Sequence, residues 1–400
     1  MRLFVVLCLT LLSCVLVTGP LQADELQTAA GKTITGELLQ IEQNRFTIKS
    51  KAGTEEIPAT EIIRLQLDPV DKLPPSGGLL ILANGDRLHA EILRAAEEAL
   101  VIRLTACPRL DELKVPLETI RAAYFSWPRA THARSRLIRQ LEQTVKKTDL
   151  FYLKNGDYLE GEFLGFDEGG FQFESAAGET TVPRTGIAYF YFNPELIAFP
   201  QPEELHYQLT LTDGTWVTVS NLSLNDSRLR ARTLFGADII CERDRLAGVT
   251  PRGGRVVPVS ELEPSEYRFT PYLSRNWRWQ RNRNVLDGPL ISGGQYFDSG
   301  LGMHSAAELH YQLDGQYAAF ETSVGLDDSA GQRASVEVQI LVDGKPVFHR
   351  EVARHSTEIV KVPRIDLTGA QQLVLKVGFG KNADIEDHLN WCRPVLIKKP

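Results

Sequence analysis

The sequence predicts an all-β protein: tandem small β-barrel-like repeats followed by a jelly-roll β-sandwich, with one connecting helix between repeats. Three observations carry this reading. A phrase built on a turn glycine recurs four times in the first 250 residues, as "AAGKTITGELLQI", "LANGDRLHAEIL", "LKNGDYLEGEFL" and "LTDGTWVTVSNL". Apolar and polar residues alternate after each glycine, the period of a strand with one face buried. Past about residue 265 the phrase stops, and longer alternating runs separated by Asp-Gly and Gly turns take over, as in a two-sheet antiparallel sandwich.

The chain opens with "MRLFVVLCLTLLSCVLVTGPLQA", which holds one Arg, an apolar run over residues 3–17 and a small residue at Ala23. That is the pattern of a signal peptide over residues 1–23. The run falls short of the ~18–20 residues that span a bilayer, which disfavours an uncleaved anchor. A lipobox reading around Cys14 conflicts with the apolar run continuing through Val15, Leu16 and Val17. No later segment is long and apolar enough to cross a membrane, so the expected location is secreted, periplasmic or cell envelope.

Barrel-like units are expected over 24–68, 78–127, 151–200 and 205–250. Each turn glycine (Gly31, Gly85, Gly156, Gly214) sits where a hairpin needs a positive φ. A later anchor, "EEIPATEII", "LKVPLETI", "TTVPRTGI" or, more loosely, "DIICERDRL", closes each unit. Gly31 to Pro58, Gly156 to Pro183 and Gly214 to Cys241 each span 27 positions, whereas Gly85 to Pro116 spans 31, with the extra residues around "TACPRLDE". About four or five short strands fit each unit, the size of a small SH3-like or Sm-like barrel. No polar cluster recurs between units, so spacers or docking platforms for other envelope proteins are the expected roles.

The helix is expected over 128–150. Leu137, Ile138, Leu141 and Val145 fall at helical spacing, and Arg134, Arg136, Arg139, Lys146 and Lys147 cover the other faces. Such a segment serves either as a solvated connector or as a basic face on an anionic surface. Residues 250–268 read as a linker or a late strand.

Composition sets outer limits. The chain is 43% hydrophobic and 24% charged, which is that of a folded protein, and its net charge of −7 argues against a nucleic-acid partner. Beyond the signal peptide only Cys107, Cys241 and Cys392 remain, without metal-ligand spacing. They form at most one disulfide; three buried free thiols are the alternative.

The sandwich is expected over 265–400, with strand-like runs at 306–313, 317–326, 334–344, 358–367, 372–380 and 390–398. In "SVEVQILV" the alternation places Val336, Val338 and Ile340 on one face and Glu337 and Gln339 on the other. The closing stretch "DIEDHLNWCRPVLI" gathers acids, imidazole, amide, indole and thiol. Glu386 and Asp387, adjacent on a strand, would point to opposite faces and so could not flank one glycosidic bond. Asp387-His388 has no Ser or Cys nucleophile beside it.

Four ordered blocks carry a resemblance: "GGQYFDSGLGMHSAAELHYQL", "YAAFETSVGLDDSAGQRASVEVQILVDGKPVF", "VPRIDLTGAQQLVLKVGFG" and "DHLNWCRPVLI". Together they resemble the NPCBM family of carbohydrate-binding modules, found beside glycoside hydrolases that include family 98. The shared features are Gly300, Gly302 and His304, the Val324–Asp327 block, the Asp343-Gly344 hairpin and the Asp-His-x-x-Trp close. The close reads Asn390-Trp391-Cys392 here, where relatives often carry Asp-Trp-Ala. The resemblance implies a non-enzymatic, glycan-recognising sandwich, with the repeats as spacer or platform. The alternative is an envelope component whose sandwich binds protein.

Aromatic rings meet the C–H faces of sugars, and short amides and carboxylates meet their hydroxyls. Trp391, His304, Asp387, His388, Asn390, Trp277 and Trp279 are the candidate sugar contacts. Trp391 has a second reading as a core residue, and His304 as a buried histidine bonding backbone. Asp327 and Asp328 are candidates for Ca2+, or they cap a turn.

Overall fold

The computed structural model describes residues 23–400 apart from 68–76, 97, 111, 129, 131–132, 134–135, 138–139, 142–145, 203–204, 226 and 355–358. The expected signal peptide, save Ala23, thus lies outside the described residues. The N-terminal part is four units of five antiparallel strands each, with a 3-10 turn ahead of the fifth. In the first unit these are Asp24–Thr28, Thr33–Glu42, Arg45–Ser50, Gly53–Pro58 and Ile62–Gln66. Its first strand pairs with both the second and the fifth, which closes a small barrel. The same two pairings recur in the other three units.

The recurring residues have local causes. Gly31, Gly85, Gly156 and Gly214 have φ of 82°, 92°, 95° and 86°, a region that side chains with a Cβ seldom enter. Pro58, Pro116 and Pro183 cap the 3-10 turns at φ −61°, −56° and −54°, values that their rings impose. In every unit the second strand carries a register shift, the mark of a β-bulge that tightens a small barrel. Asp24 accepts from the bulged Leu38 N–H at 2.7 Å, and Asp149 does the same for Phe163 at 2.9 Å.

The units do not assemble in chain order. Val249 and Gly248 of the fourth pair with Leu65 and Gln66 of the first. Ala122, Ala123 and Tyr124 of the second pair with Tyr191, Phe190 and Tyr189 of the third. An arginine locks each pair at an equivalent place: Arg243 reaches the Leu38 carbonyl at 3.5 Å and Arg184 the Ile92 carbonyl at 2.6 Å. Units two and four then join the pairs reciprocally. Asp86 accepts from the Thr218 N–H at 2.8 Å, and the Thr215 hydroxyl accepts from the His89 N–H at 3.0 Å. A Cys107–Cys241 disulfide crosses the same junction. The extra residues of the second unit therefore carry a cysteine across to the fourth, and only Cys392 is left free among the described residues.

The second and third units expose to one side an apolar sheet face of Leu79, Ile81, Tyr124, Leu150 and Tyr191. Helix covers it: Ala133, Arg136, Leu137, Gln140 and Leu141 are helical, and Leu141 is buried against this face with Leu137 beside it. Ile138, Val145, Arg134 and Arg139 lie outside the described residues. Leu137 and Leu141 of the segment are thus taken up within the chain.

The C-terminal part is a two-sheet sandwich. One sheet runs Gln280–Arg281, Gly300–Met303, Leu389–Lys398, Tyr317–Leu326 and Val360–Lys361. The other runs Glu266–Phe269, Ala307–Gln312, Gln372–Phe379, Ser335–Val342 and Lys345–Ala353. Val336, Val338 and Ile340 face the core, as their alternation requires. Val256–Pro258 pairs with the closing strand through Ile397, Leu396 and Val395, so strand begins inside the 250–268 stretch. Lys345–Ala353 is an edge strand exposed over most of its length, and it has no alternation to announce it.

The sandwich packs on the first unit. Ala29, Ile63, Val256, Ala319, Val395 and Ile397 form one buried cluster across the joint. Arg364 donates to the Ala29 carbonyl at 2.7 Å, and Arg255 pairs with Glu61 at 2.6 Å. Burial works against ionisation of Asp298, yet Arg393, Arg252 and Arg64 hold its carboxyl down at about 2. Among the described residues no helix is long and apolar enough to cross a membrane.

Candidate functional site

Four segments of the sandwich meet in a cup: the loop before Gln280–Arg281, the turn after it that carries Leu286, the stretch after Gly300–Met303, and the turn that leads into the closing strand. Arg275, Trp277, Leu286, His304, Asp384, Glu386 and His388 line a cavity of about 340 Å³ there. Gly302 explains why His304 arrives where it does, because a Cβ at this glycine would strike the backbone of Arg283, Asn284 and Val285. Gly331 leaves space for the Glu386 carboxylate in the same way.

Trp277 is the centre of the cup. Its ring stacks on His304 with centroids 4.4 Å apart and planes 7° from parallel, and His388 meets it edge-on at 6.0 Å. The Arg275 guanidinium lies 3.8 Å over the ring. Both imidazoles are held neutral. Burial lowers His304, and burial, reinforced by His304, lowers His388 to about 4. His304 Nδ1 lies 2.8 Å from the Ser305 carbonyl, which accepts only, so that nitrogen carries the proton. Ser329 already gives its hydroxyl proton to Asp327, so His388 Nδ1 donates to Ser329 Oγ at 3.3 Å. In each ring Nε2 is left as an acceptor. With Asp384 and Glu386 the cup is rich in acceptors, which suits hydroxyl donors.

The sequence candidates divide. Trp277, His304 and His388 come together in the cup. Trp391 does not: it is 0% exposed in the core, and its Nε1–H points at Met303 Sδ, 3.1 Å away. The reason is that the closing strand runs mid-sheet with both faces covered, so its indole reaches no ligand. Trp279 packs against the same core with Arg281 over its ring at 5.5 Å, away from the cup. Asn390 is fully buried and donates to Asp327 at 2.8 Å and Ser292 at 3.1 Å. Asp387 is fully buried too, accepting from the Ser305 hydroxyl at 2.5 Å and the Ser335 N–H at 3.2 Å.

Asp327 is the centre of a hydrogen-bond knot. Asn284, Asn390, the Ser329 hydroxyl and N–H, and the Ile291 N–H all donate to its two oxygens at 2.5–3.3 Å. Asp328 accepts from the Gly294 N–H at 2.9 Å. Among the described residues no group of three or more His, Cys, Asp or Glu is placed to hold a metal ion. The five donors take up the acceptor positions of Asp327, and Arg354 faces Asp328 at 3.7 Å. Arg275 and Leu286 are cup residues that sequence reasoning missed, since no periodicity marks a loop residue that tertiary packing brings to a ring.

Residues 255–397 match the NPCBM/NEW2 domain family model. Within the matched residues, Gly302 and His304 form one wall of the cup, Asp327 ties its base, and Asp387-His388 turns into the closing strand. A "Putative endo-alpha-N-acetylgalactosaminidase" of Renibacterium salmoninarum is 31% identical over 129 residues, which are 30% of this chain and 8% of that protein. The chain thus spans less than a tenth of that relative. Similar solved structures include CBM51 from Clostridium perfringens GH95 in complex with methyl-galactose, at 27% identity and TM-score 0.32, covering 35% of this chain and 99% of that one. Tandem CBM51 modules of Sp3GH98 from Streptococcus pneumoniae SP3-BS71 are 12% identical with TM-score 0.30, covering 80% and 88%.

Two buried groups of the sandwich give it opposed pH responses. Asp387, raised by burial to about 6 from 3.8, binds its proton more readily folded, so its stabilising share is lost as pH rises from about 4 to 6. His388, lowered to about 4 from 6.5, refuses a proton that the unfolded chain accepts, so its share is lost as pH falls from about 6.5 to 4. In the wild type the two slopes largely cancel. Each shift is worth roughly 3 kcal/mol. Asp387→Asn is expected to gain stability by about that amount from pH 4 to 6.5, and His388→Gln to lose it over the same range, read as urea midpoints. Parallel slopes in both variants would refute the assignment.

Proposed function

We propose that the chain is an exported, non-catalytic glycan-binding protein that takes one neutral terminal sugar residue into the Trp277 cup, with the four barrel units as spacer or docking platform. The observation that carries this reading is the Trp277–His304–His388 cluster, an aromatic wall beside neutral, acceptor-bearing imidazoles in a cavity of about 340 Å³. Sugar hydroxyls donate to such acceptors while the ring excludes water from the C–H face. One cationic side chain, Arg275, stands against two carboxylates, Asp384 and Glu386. That balance favours a neutral sugar over a uronate or a sulfated one. Asp387 is tied to Ser305 and Ser335 rather than offered to the cup, which supports a binding role over hydrolysis. The family match and the Cys107–Cys241 disulfide, a bond that persists in oxidising compartments, support glycan recognition and export.

A glycan array probed with the full chain tests the proposal. Saturable binding to neutral glycans is expected, and Trp277→Ala should lose at least about tenfold in affinity, the scale of one stacked aromatic contact. Its urea midpoint should stay within about 1 kcal/mol of wild type. A folded chain that binds nothing across the array, or a Trp277→Ala variant that binds as wild type, would remove the cup from consideration.

A further inference from the structure

Trp277 has no open face. His304 occupies one side of the indole at 4.4 Å, and the Arg275 guanidinium occupies the other at 3.8 Å. His304 is 2% exposed and anchored to the Ser305 carbonyl, so it stays. Arg275 is exposed on the loop. A sugar that stacks on Trp277 must therefore take the place that Arg275 holds.

We infer that Arg275 is an autoinhibitory cap on the cup: a cation seated on the indole that competes with the sugar's C–H face and must be displaced before a glycan can stack. This rests on the cup being the glycan site. The guanidinium, more weakly hydrated than an ammonium and planar, covers an aromatic face well, so every ligand that stacks on Trp277 meets the same displacement cost. The residue thus lowers the affinity of all stacking ligands alike and leaves their ranking to the rest of the cup.

The test is calorimetric titration of the full-length wild type, Arg275→Ala and Arg275→Lys with the array's best neutral glycan and with its weaker epimers. An exposed cation over a ring contributes a factor of about two to five, so Arg275→Ala should bind the best glycan that much more tightly. It should gain by a similar factor for the epimers that stack, because the cost removed is the same, and Arg275→Lys should fall between. Equal or weaker binding by Arg275→Ala, with wild-type binding intact, overturns the inference and leaves the cup as the site. Loss of binding by all three folded proteins overturns both.

Discussion

Trp391→Ala is expected to cost the sandwich about 3–5 kcal/mol, the range for deleting a fully buried Trp from a core. The indole is 0% exposed and packed in the core with Leu301, Met303, Val324 and Leu389. Equilibrium unfolding in urea checks this. Any loss of glycan binding by Trp391→Ala should track the fraction unfolded, whereas Trp391→Phe, which empties less volume, should fold and bind. The contrast with Trp277→Ala separates a core tryptophan from the tryptophan of the cup.

The second large effect concerns the repeats. Cys107 and Cys241 are 134 residues apart in sequence, and joining them removes much of the unfolded chain's freedom. The pair Cys107→Ser and Cys241→Ser should cost about 3–5 kcal/mol. A reducing agent should lower the denaturation midpoint of the wild type and leave that of the double variant unchanged, because Cys392 is free and buried. The junction keeps the Asp86–Thr218 and Thr215–His89 bonds, so it should loosen rather than dissolve. A reducing agent without effect on the wild type would contradict a structural bridge between the two pairs of units.

Much of the fold was legible because barrel and sandwich strands announce themselves by alternation and by turn glycines. The longer second unit held a visible clue in its extra residues around "TACPRLDE", yet three cysteines alone do not reveal a partner. The pairing of units one with four and two with three was not legible, since it depends on which fifth strands meet across the assembly. The polarity of the outer faces hints at it afterwards. The aromatic face around Tyr124 and Tyr191 needs the helix as cover, and the arginines at 64 and 252 need Asp298.

The site was half legible. Residue type marked Trp277, His304 and His388, and the cup unites them. Trp391 looked equal to Trp277 because a strand buried on both faces has no alternation by which to rank its residues. Asp327 looked like a cation ligand because five donors from Asn284, Ile291, Ser329 and Asn390 are scattered along the sequence and meet only in the fold. Arg275 was invisible for the same reason.

One measurement tests the central claim most directly. The chain has five tryptophans beyond its first 23 residues: Trp127, Trp216, Trp277, Trp279 and Trp391. Fluorine NMR of the full chain labelled with 5-fluorotryptophan, with the resonances assigned by single Trp→Phe changes, reports each ring separately during titration with a bound neutral glycan. The account predicts that the Trp277 resonance moves with saturation while that of Trp391 stays in place. A titration in which Trp391 or a barrel tryptophan moves and Trp277 does not would contradict it.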